Sequence, residues 1–164
     1  MEKTDLSSLT FDRLEETVAS FGLPSFRAGQ IYRWIARGVS SFEEMSDLSK
    51  ELRAKLSEHC FLASVSEETC KISSDGTKKY LFRLEDGNHI ETVLMKYEHG
   101  NSVCISSQVG CNMGCRFCAS TLNGKVRDLT AGEMFAQIAY INRTDPVSHV
   151  VVMGVGEPLD NFDS

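Results

Sequence analysis

Three cysteines fall within eight residues, Cys111-Asn-Met-Gly-Cys115-Arg-Phe-Cys118, a C-x3-C-x2-C spacing that forces the chain to fold around whatever holds three thiols. The sequence has 6 cysteines in 164 residues, which in a small secreted protein would suggest disulfides. The start, Met1 to Thr10, is polar and mixed in charge and does not read as a secretion signal. A reducing, cytoplasmic setting is therefore expected, and in it such clustering points to a metal. Three thiolates on one short loop can each take one iron of a cubane [4Fe–4S] cluster, leaving the fourth iron without a protein ligand. A small molecule can bind at that open position and receive an electron. Structural zinc is the alternative, but it wants four ligands, and His99 and Cys104 fall outside the usual paired spacing. Cys60 and Cys70 stand apart and read as buried thiols.

The segments around this loop change period twice. Phe11, Leu14, Val18 and Phe21 recur at helical spacing up to Gly22 and Pro24. A second helix is expected from Phe26 to Arg37, with Ile31, Trp34 and Ile35 apolar and Gly38 as its stop. Ser41 with Glu44 makes a capping box, and Leu48, Leu52, Leu56 and Cys60 form one apolar stripe. From Phe61 the pattern alternates. Tyr80, Phe82 and Leu84 share a face, Asp86-Gly87 marks a hairpin, His89 to Tyr97 is the return strand, and Ser102 to Ser107 is a third. Beyond the cysteine loop, Thr130 and Glu133 cap a helix whose buried side is expected to be Met134, Phe135, Ile138 and Ile141. The apolar run Val147 to Met153 suits a parallel strand covered on both faces.

The expected fold class is thus α+β, a small helical bundle plus an antiparallel β-meander. The first βαβ unit of an α/β sheet or barrel follows it. The expected organisation is a helical accessory domain over 1–60, a β extension over 61–100 and the start of an α/β core over 101–164. Such a core needs further βα units, so the chain reads as the N-terminal part of a longer protein, with an unpaired edge at its last strand. No apolar run approaches the roughly 20 residues of a membrane span. Basic and acidic side chains number 8 and 10 in residues 1–60, 5 and 7 in 61–100, and 4 and 6 in 101–164. No block has the basic excess of a nucleic-acid surface, so composition alone argues against an RNA or DNA partner.

Longer motifs point the other way. Val103-Cys-Ile-Ser-Ser-Gln-Val-Gly110 before the cysteines and Phe117-Cys-Ala-Ser-Thr121 after them resemble the radical S-adenosylmethionine RNA adenine-C2 methyltransferase family, RlmN. Met153-Gly-Val-Gly-Glu-Pro-Leu-Asp-Asn161 is similar to that family's M-G-M-G-E-P-L-x-N, with Val155 in place of a methionine. Phe26-Arg-Ala-Gly-Gln-Ile31 and Ser41-Phe-Glu-Glu-Met45 extend the resemblance to the front end.

The resemblance implies a partial radical S-adenosylmethionine barrel with Cys111, Cys115 and Cys118 as ligands of a [4Fe–4S] cluster. S-adenosylmethionine would be the second cofactor, with Gly156 and Glu157 binding it. Cys104 matches the cysteine that resolves a covalent RNA adduct through a transient disulfide, and Glu91 the proton acceptor. The substrate would be 23S rRNA and in some members tRNA, methylated through a methyl-cysteine carrier near the family's C-terminus. An electron donor such as flavodoxin, a monomeric state and no membrane association go with it. Without that carrier the 164 residues alone are expected to be inactive. The first sixty residues resemble the family's RNA-recognition domain. Arg27, Arg33 and Arg37 on one expected helix suit phosphates or simply a solvated face. Two alternatives stand beside this reading. One is the related adenine-C8 methyltransferase; the other is a non-catalytic RNA-binding module held by a structural metal.

Overall fold

The computed structural model describes residues 3–164. The chain divides into two compact units, one ending at Ala63 and the other running Ser64–Ser164.

In the first unit, β1 (Thr4–Asp5) leads through a short turn to α1 (Phe11–Ser20) and α2 (Phe26–Ala36). Thr10 caps α1 by accepting from the Arg13 N–H, and Leu14 and Val18 turn inward. Ala28, Ile31 and Ile35 are the buried positions of α2. Trp34, expected in the apolar set, is only half-buried: its Nε1 donates to Asp47 and the Arg37 guanidinium lies 4.9 Å over its ring. The Glu44 carboxylate accepts from the Ser40 and Ser41 N–H groups, as the capping box asks, over a single 3-10 turn. Ser49 caps α3 (Lys50–His59), and Leu48, Leu52, Leu56 and Cys60 are all buried as one stripe. The chain then forms β2 (Cys60–Phe61), which pairs in parallel with β1, a contact between two-residue strands that no periodicity announces.

The second unit is built on a five-stranded sheet. β3 (Ser66–Ile72), β4 (Lys78–Arg83), β5 (His89–Tyr97) and β6 (Gly100–Cys104) run antiparallel in sequence order. Then β7 (Gln108–Gly110) and β8 (Lys125–Asp128) form a separate hairpin, and α4 (Ala131–Asn142) returns the chain to β9 (Val147–Val151), parallel to β6. β6, α4 and β9 make the expected βαβ unit, and the meander and that unit share one sheet.

Tyr80, Phe82, Leu84, Ile90, Leu94, Val103 and Ile105 pack one face of the sheet with Ile141 of α4. Each such side chain removed wholly from water contributes about 1.5–3 kcal/mol. Three expectations change here. The third strand ends at Cys104 rather than Ser107 because the chain bends there to start the β7–β8 hairpin. The inward positions of α4 are Gly132, Ala136, Gln137 and Ile141, with Met134 and Ile138 partly buried and Phe135 outside the core. β9 is an edge strand, and Val150 and Val151 stay 43% and 36% exposed instead of covered on both faces.

Asp145, buried at the turn from α4 to β9, accepts from Lys78 Nζ at 2.6 Å and pairs with Lys96 Nζ at 2.9 Å. The two ammoniums, Lys78 first, hold its carboxyl at about 2. An unfolded Asp titrates near ~3.9, so the unfolded chain takes up the proton first. The stability from this cluster is therefore complete above pH ~4 and is lost as pH falls toward ~2. Asp145→Asn should cost roughly 2–3 kcal/mol at neutral pH. Urea unfolding followed by circular dichroism at pH 7 and pH 3 checks this: the gap between variant and parent should narrow at the lower pH.

Candidate metal centre and its supports

The cysteine loop is carried on a hairpin stem. Gln108 faces Asp128, Val109 faces Arg127, and Gly110 faces Lys125, so the loop leaves and re-enters the fold at one point. Gly110 has φ +74°, and a Cβ there would stand 1.9 Å from the Gly124 carbonyl oxygen, so only glycine lets the two stems close. Asn112 adds a side-chain tie, its Oδ1 accepting from the Lys125 N–H at 2.8 Å.

Cys111 is buried at the end of β7, Cys115 is exposed, and Cys118 is half-buried. The Cys118 N–H donates to the Cys115 carbonyl at 3.0 Å, and the Thr121 hydroxyl donates to the Cys118 carbonyl at 3.0 Å, giving a tight turn. Hydrogen bonding from the Ser120 side chain, helped by the Ser120 and Thr121 N–H groups, lowers the Cys118 thiol from its usual range. All three thiols are free. Among the described residues no three His, Cys, Asp or Glu side chains stand where one metal ion could hold them together. One tetrahedral ion needs its ligands in a single coordination sphere, whereas a cubane takes each thiolate on a different iron. Three soft donors on one loop fit the cubane in ligand chemistry.

Beneath the stem lies a hydrogen-bonded floor. Gln108 is fully buried and uses both ends of its amide: Oε1 accepts from the Glu157 N–H at 2.9 Å, and Nε2 donates to Asp128 at 2.7 Å and Asp160 at 3.0 Å. Lys125 Nζ meets Asp160 at 2.8 Å, which lowers the Asp160 carboxyl and raises the lysine. Asn161 Nδ2 donates to the carbonyls of Ser107 at 2.8 Å and Leu129 at 2.9 Å. The glycine segment packs closely on the stretch Ile105–Gln108. A Cβ on Gly154 would sit 2.8 Å from the Ile105 carbonyl, and one on Gly156 (φ +107°) 2.6 Å from Gln108 Cβ. The close approach these glycines permit is thus to the chain's own segment Ile105–Gln108. Glu157 accepts from the Leu159 N–H at 3.1 Å, capping the last short turn.

Glu91 and Cys104 share the sheet face opposite the α4 core. Val93, two residues from Glu91, is paired with Cys104, which makes Glu91 and Cys104 diagonal neighbours. The Glu91 carboxylate pairs with Lys79 Nζ at 2.7 Å. Cys104 is half-buried, and burial pushes its thiol up, opposed by the Met153 N–H. The structure therefore sets Gly156 and Glu157 on the base of the cysteine loop and Glu91 beside Cys104.

Sequence reasoning left Gln108, Lys125, Gln137 and Asn161 without roles. Gln108 and Asn161 lay inside quoted motifs, and Gln137 was legible only as a polar residue interrupting an apolar helix face.

Residues 4–62 match the family described as ribosomal RNA large subunit methyltransferase N-terminal domain, and residues 105–164 match the radical SAM superfamily. A protein of Lachnospira eligens named probable dual-specificity RNA methyltransferase RlmN is 57% identical over 98% of this chain and 47% of its own length. A protein of the same name from Lachnoclostridium phytofermentans is 54% identical over 99% of this chain and 47% of its own. The crystal structure of a radical SAM methyltransferase from Sphaerobacter thermophilus superposes with a TM-score of 0.90 at 41% identity, covering 98% of this chain and 49% of that one. The chain spans about half the length of the relatives it matches.

Proposed function

From the premise that this chain belongs to the RlmN family of radical S-adenosylmethionine proteins, we propose that it is the cluster-bearing half of an RNA methyltransferase acting on C2 of adenine. The observation that carries the reading is the coupling of its two motifs. The glycine segment Gly154–Asn161 is clamped by Gln108 and Asn161 to the stem that presents Cys111, Cys115 and Cys118.

In this reading Cys111, Cys115 and Cys118 would hold a [4Fe–4S] cluster, whose chemistry would be one-electron reduction of bound S-adenosylmethionine, with methionine as the leaving group. The protein's own part is orientation and proton handling. Gly156 and Glu157 receive the cofactor's amino-acid end, where the carboxylate can meet an ammonium. The Glu91 carboxylate takes the proton released from the adenine carbon, and Lys79 beside it offsets its charge. Cys104, as thiolate, attacks the sulfur of the methyl-carrying cysteine. A disulfide forms, the sulfur–carbon electrons pass to the new methyl carbon, and a proton completes it. The substrate is 23S rRNA and, as in some members of the family, tRNA, with residues 1–60 recognising RNA, 61–100 serving as a β extension and 101–164 bearing the cofactors. A flavodoxin-type reductant and a monomeric, cytoplasmic enzyme belong to the same reading. These 164 residues alone do not turn over, because the family's methyl-carrying cysteine lies nearer its C-terminus than the matched segment.

The test is to complete the chain with the C-terminal half of the Lachnospira eligens relative and incubate it anaerobically with S-adenosylmethionine, a reductant and RNA. Nucleoside mass spectrometry should find 2-methyladenosine from the completed chain and none from the 164-residue chain. An 8-methyladenosine product would reassign the regiochemistry, and no methylated adenosine would overturn the proposal.

A further inference from the structure

The ladder between β5 and β6 stops where Val93 faces Cys104. Ser106 stands two residues further on, at the place a continued ladder would set opposite Glu91, and it is fully buried. Its backbone N–H and C=O cannot turn to water and need partners inside the protein. One side chain supplies both. Gln137 Oε1 accepts from the Ser106 N–H at 2.9 Å, and Gln137 Nε2 donates to the Ser106 carbonyl at 3.0 Å. The same amide accepts from the Thr92 hydroxyl at 2.7 Å and donates to the Glu133 carbonyl at 3.4 Å. All four hydrogen-bonding positions of a fully buried glutamine are therefore used. The Ser106 hydroxyl carries the link outward, donating to the Glu91 carbonyl at 2.6 Å and accepting from the Val155 N–H at 2.9 Å.

A helix position facing the core is filled at less cost by an aliphatic side chain, since a buried amide that loses any partner is penalised. We infer that Gln137 is a positioning residue: it holds the Ser106 bend, which sets Glu91, Cys104 and the segment Gly154–Glu157 in their mutual places. It acts through Ser106 and Thr92, its bond to the Glu133 carbonyl lying within its own helix. The catalytic consequence rests on the methyltransferase reading, whereas the positional claim does not.

Gln137→Met keeps the chain length of the side chain and removes its polar contacts. The readout is amide hydrogen exchange in the 164-residue chain at Gly154 and Val155, whose N–H groups donate to the Ile105 carbonyl and the Ser106 hydroxyl, against Leu94 inside the sheet. The expected result is an acceleration at Gly154 and Val155 at least about tenfold greater than at Leu94. Equal acceleration at all three, or none at Gly154 and Val155, would overturn the inference. Where Gln137→Met does not fold, Ser106→Ala carries the test, with Val155 expected to exchange faster and Leu94 unchanged, and an unchanged Val155 counting against it. In the completed chain, Gln137→Met or Ser106→Ala should lower kcat about tenfold with KM for RNA unchanged, and the reverse split would contradict a positioning role. If the unsubstituted completed chain transfers no methyl group, the proposed function fails, and the exchange result alone still decides the positional claim.

Discussion

Cys104→Ala in the completed chain is expected to cut turnover by at least about a hundredfold and to leave protein covalently attached to RNA. The reasoning starts from where the thiol sits. Cys104 ends β6 opposite Val151 of β9, half-buried, on the face that also carries Glu91. In the proposed mechanism the adenine carbon is joined through a methylene to the carrier cysteine, and a second thiolate breaks the sulfur–carbon link by taking the carrier sulfur into a disulfide. Alanine keeps the strand and removes that nucleophile. Burial raises the Cys104 thiol above its usual value, so less of it is thiolate at neutral pH. Resolution should therefore quicken as pH rises through that raised value. A denaturing gel of the reaction mixture checks the adduct: a shifted, nuclease-sensitive band in Cys104→Ala supports the role, and free protein with normal turnover would remove it.

Gly110→Ala should be the most damaging single substitution for the loop's support. The added Cβ would lie 1.9 Å from a backbone carbonyl oxygen at Gly124, where no side chain can move aside, and the residue's φ of +74° is one that alanine adopts only under strain. The stem must open by more than an ångström or the backbone must flip. Either change breaks the pairing of Gly110 with Lys125 and loosens the tie from Asn112. The expected cost is at least about 3 kcal/mol in the second unit. Thermal unfolding measured on the parent and the variant tests it, and a change within about 0.5 kcal/mol would show that the stem tolerates a wider gap.

What the sequence revealed follows the range of the forces involved. The Thr130–Glu133 capping box and the stripe Leu48, Leu52, Leu56, Cys60 are local patterns, and each takes the form its spacing implies. The alternation of Tyr80, Phe82 and Leu84 was equally readable, because a half-buried strand writes its two faces into every second residue. The β7–β8 stem was not, since its register depends on two short segments meeting across the cysteine loop. Gln137 and Gln108 carry no periodic signature of being buried. Their amides are buried because partners distant in sequence, Thr92 and Ser106 for one, Asp160 and Glu157 for the other, need both a donor and an acceptor at one point. Gly156 invites a reading as a ligand-facing glycine, and the tight approach it permits within the chain is to Gln108, a contact between segments far apart in sequence.

The measurement that bears most directly on the whole account is iron and acid-labile sulfide in the anaerobically reconstituted chain, with electron paramagnetic resonance of the reduced protein before and after S-adenosylmethionine. The account predicts about four iron atoms per chain, their loss in Cys115→Ala, and a signal that changes when the cofactor is added. Stoichiometric zinc in place of iron, with no response to S-adenosylmethionine, would contradict it.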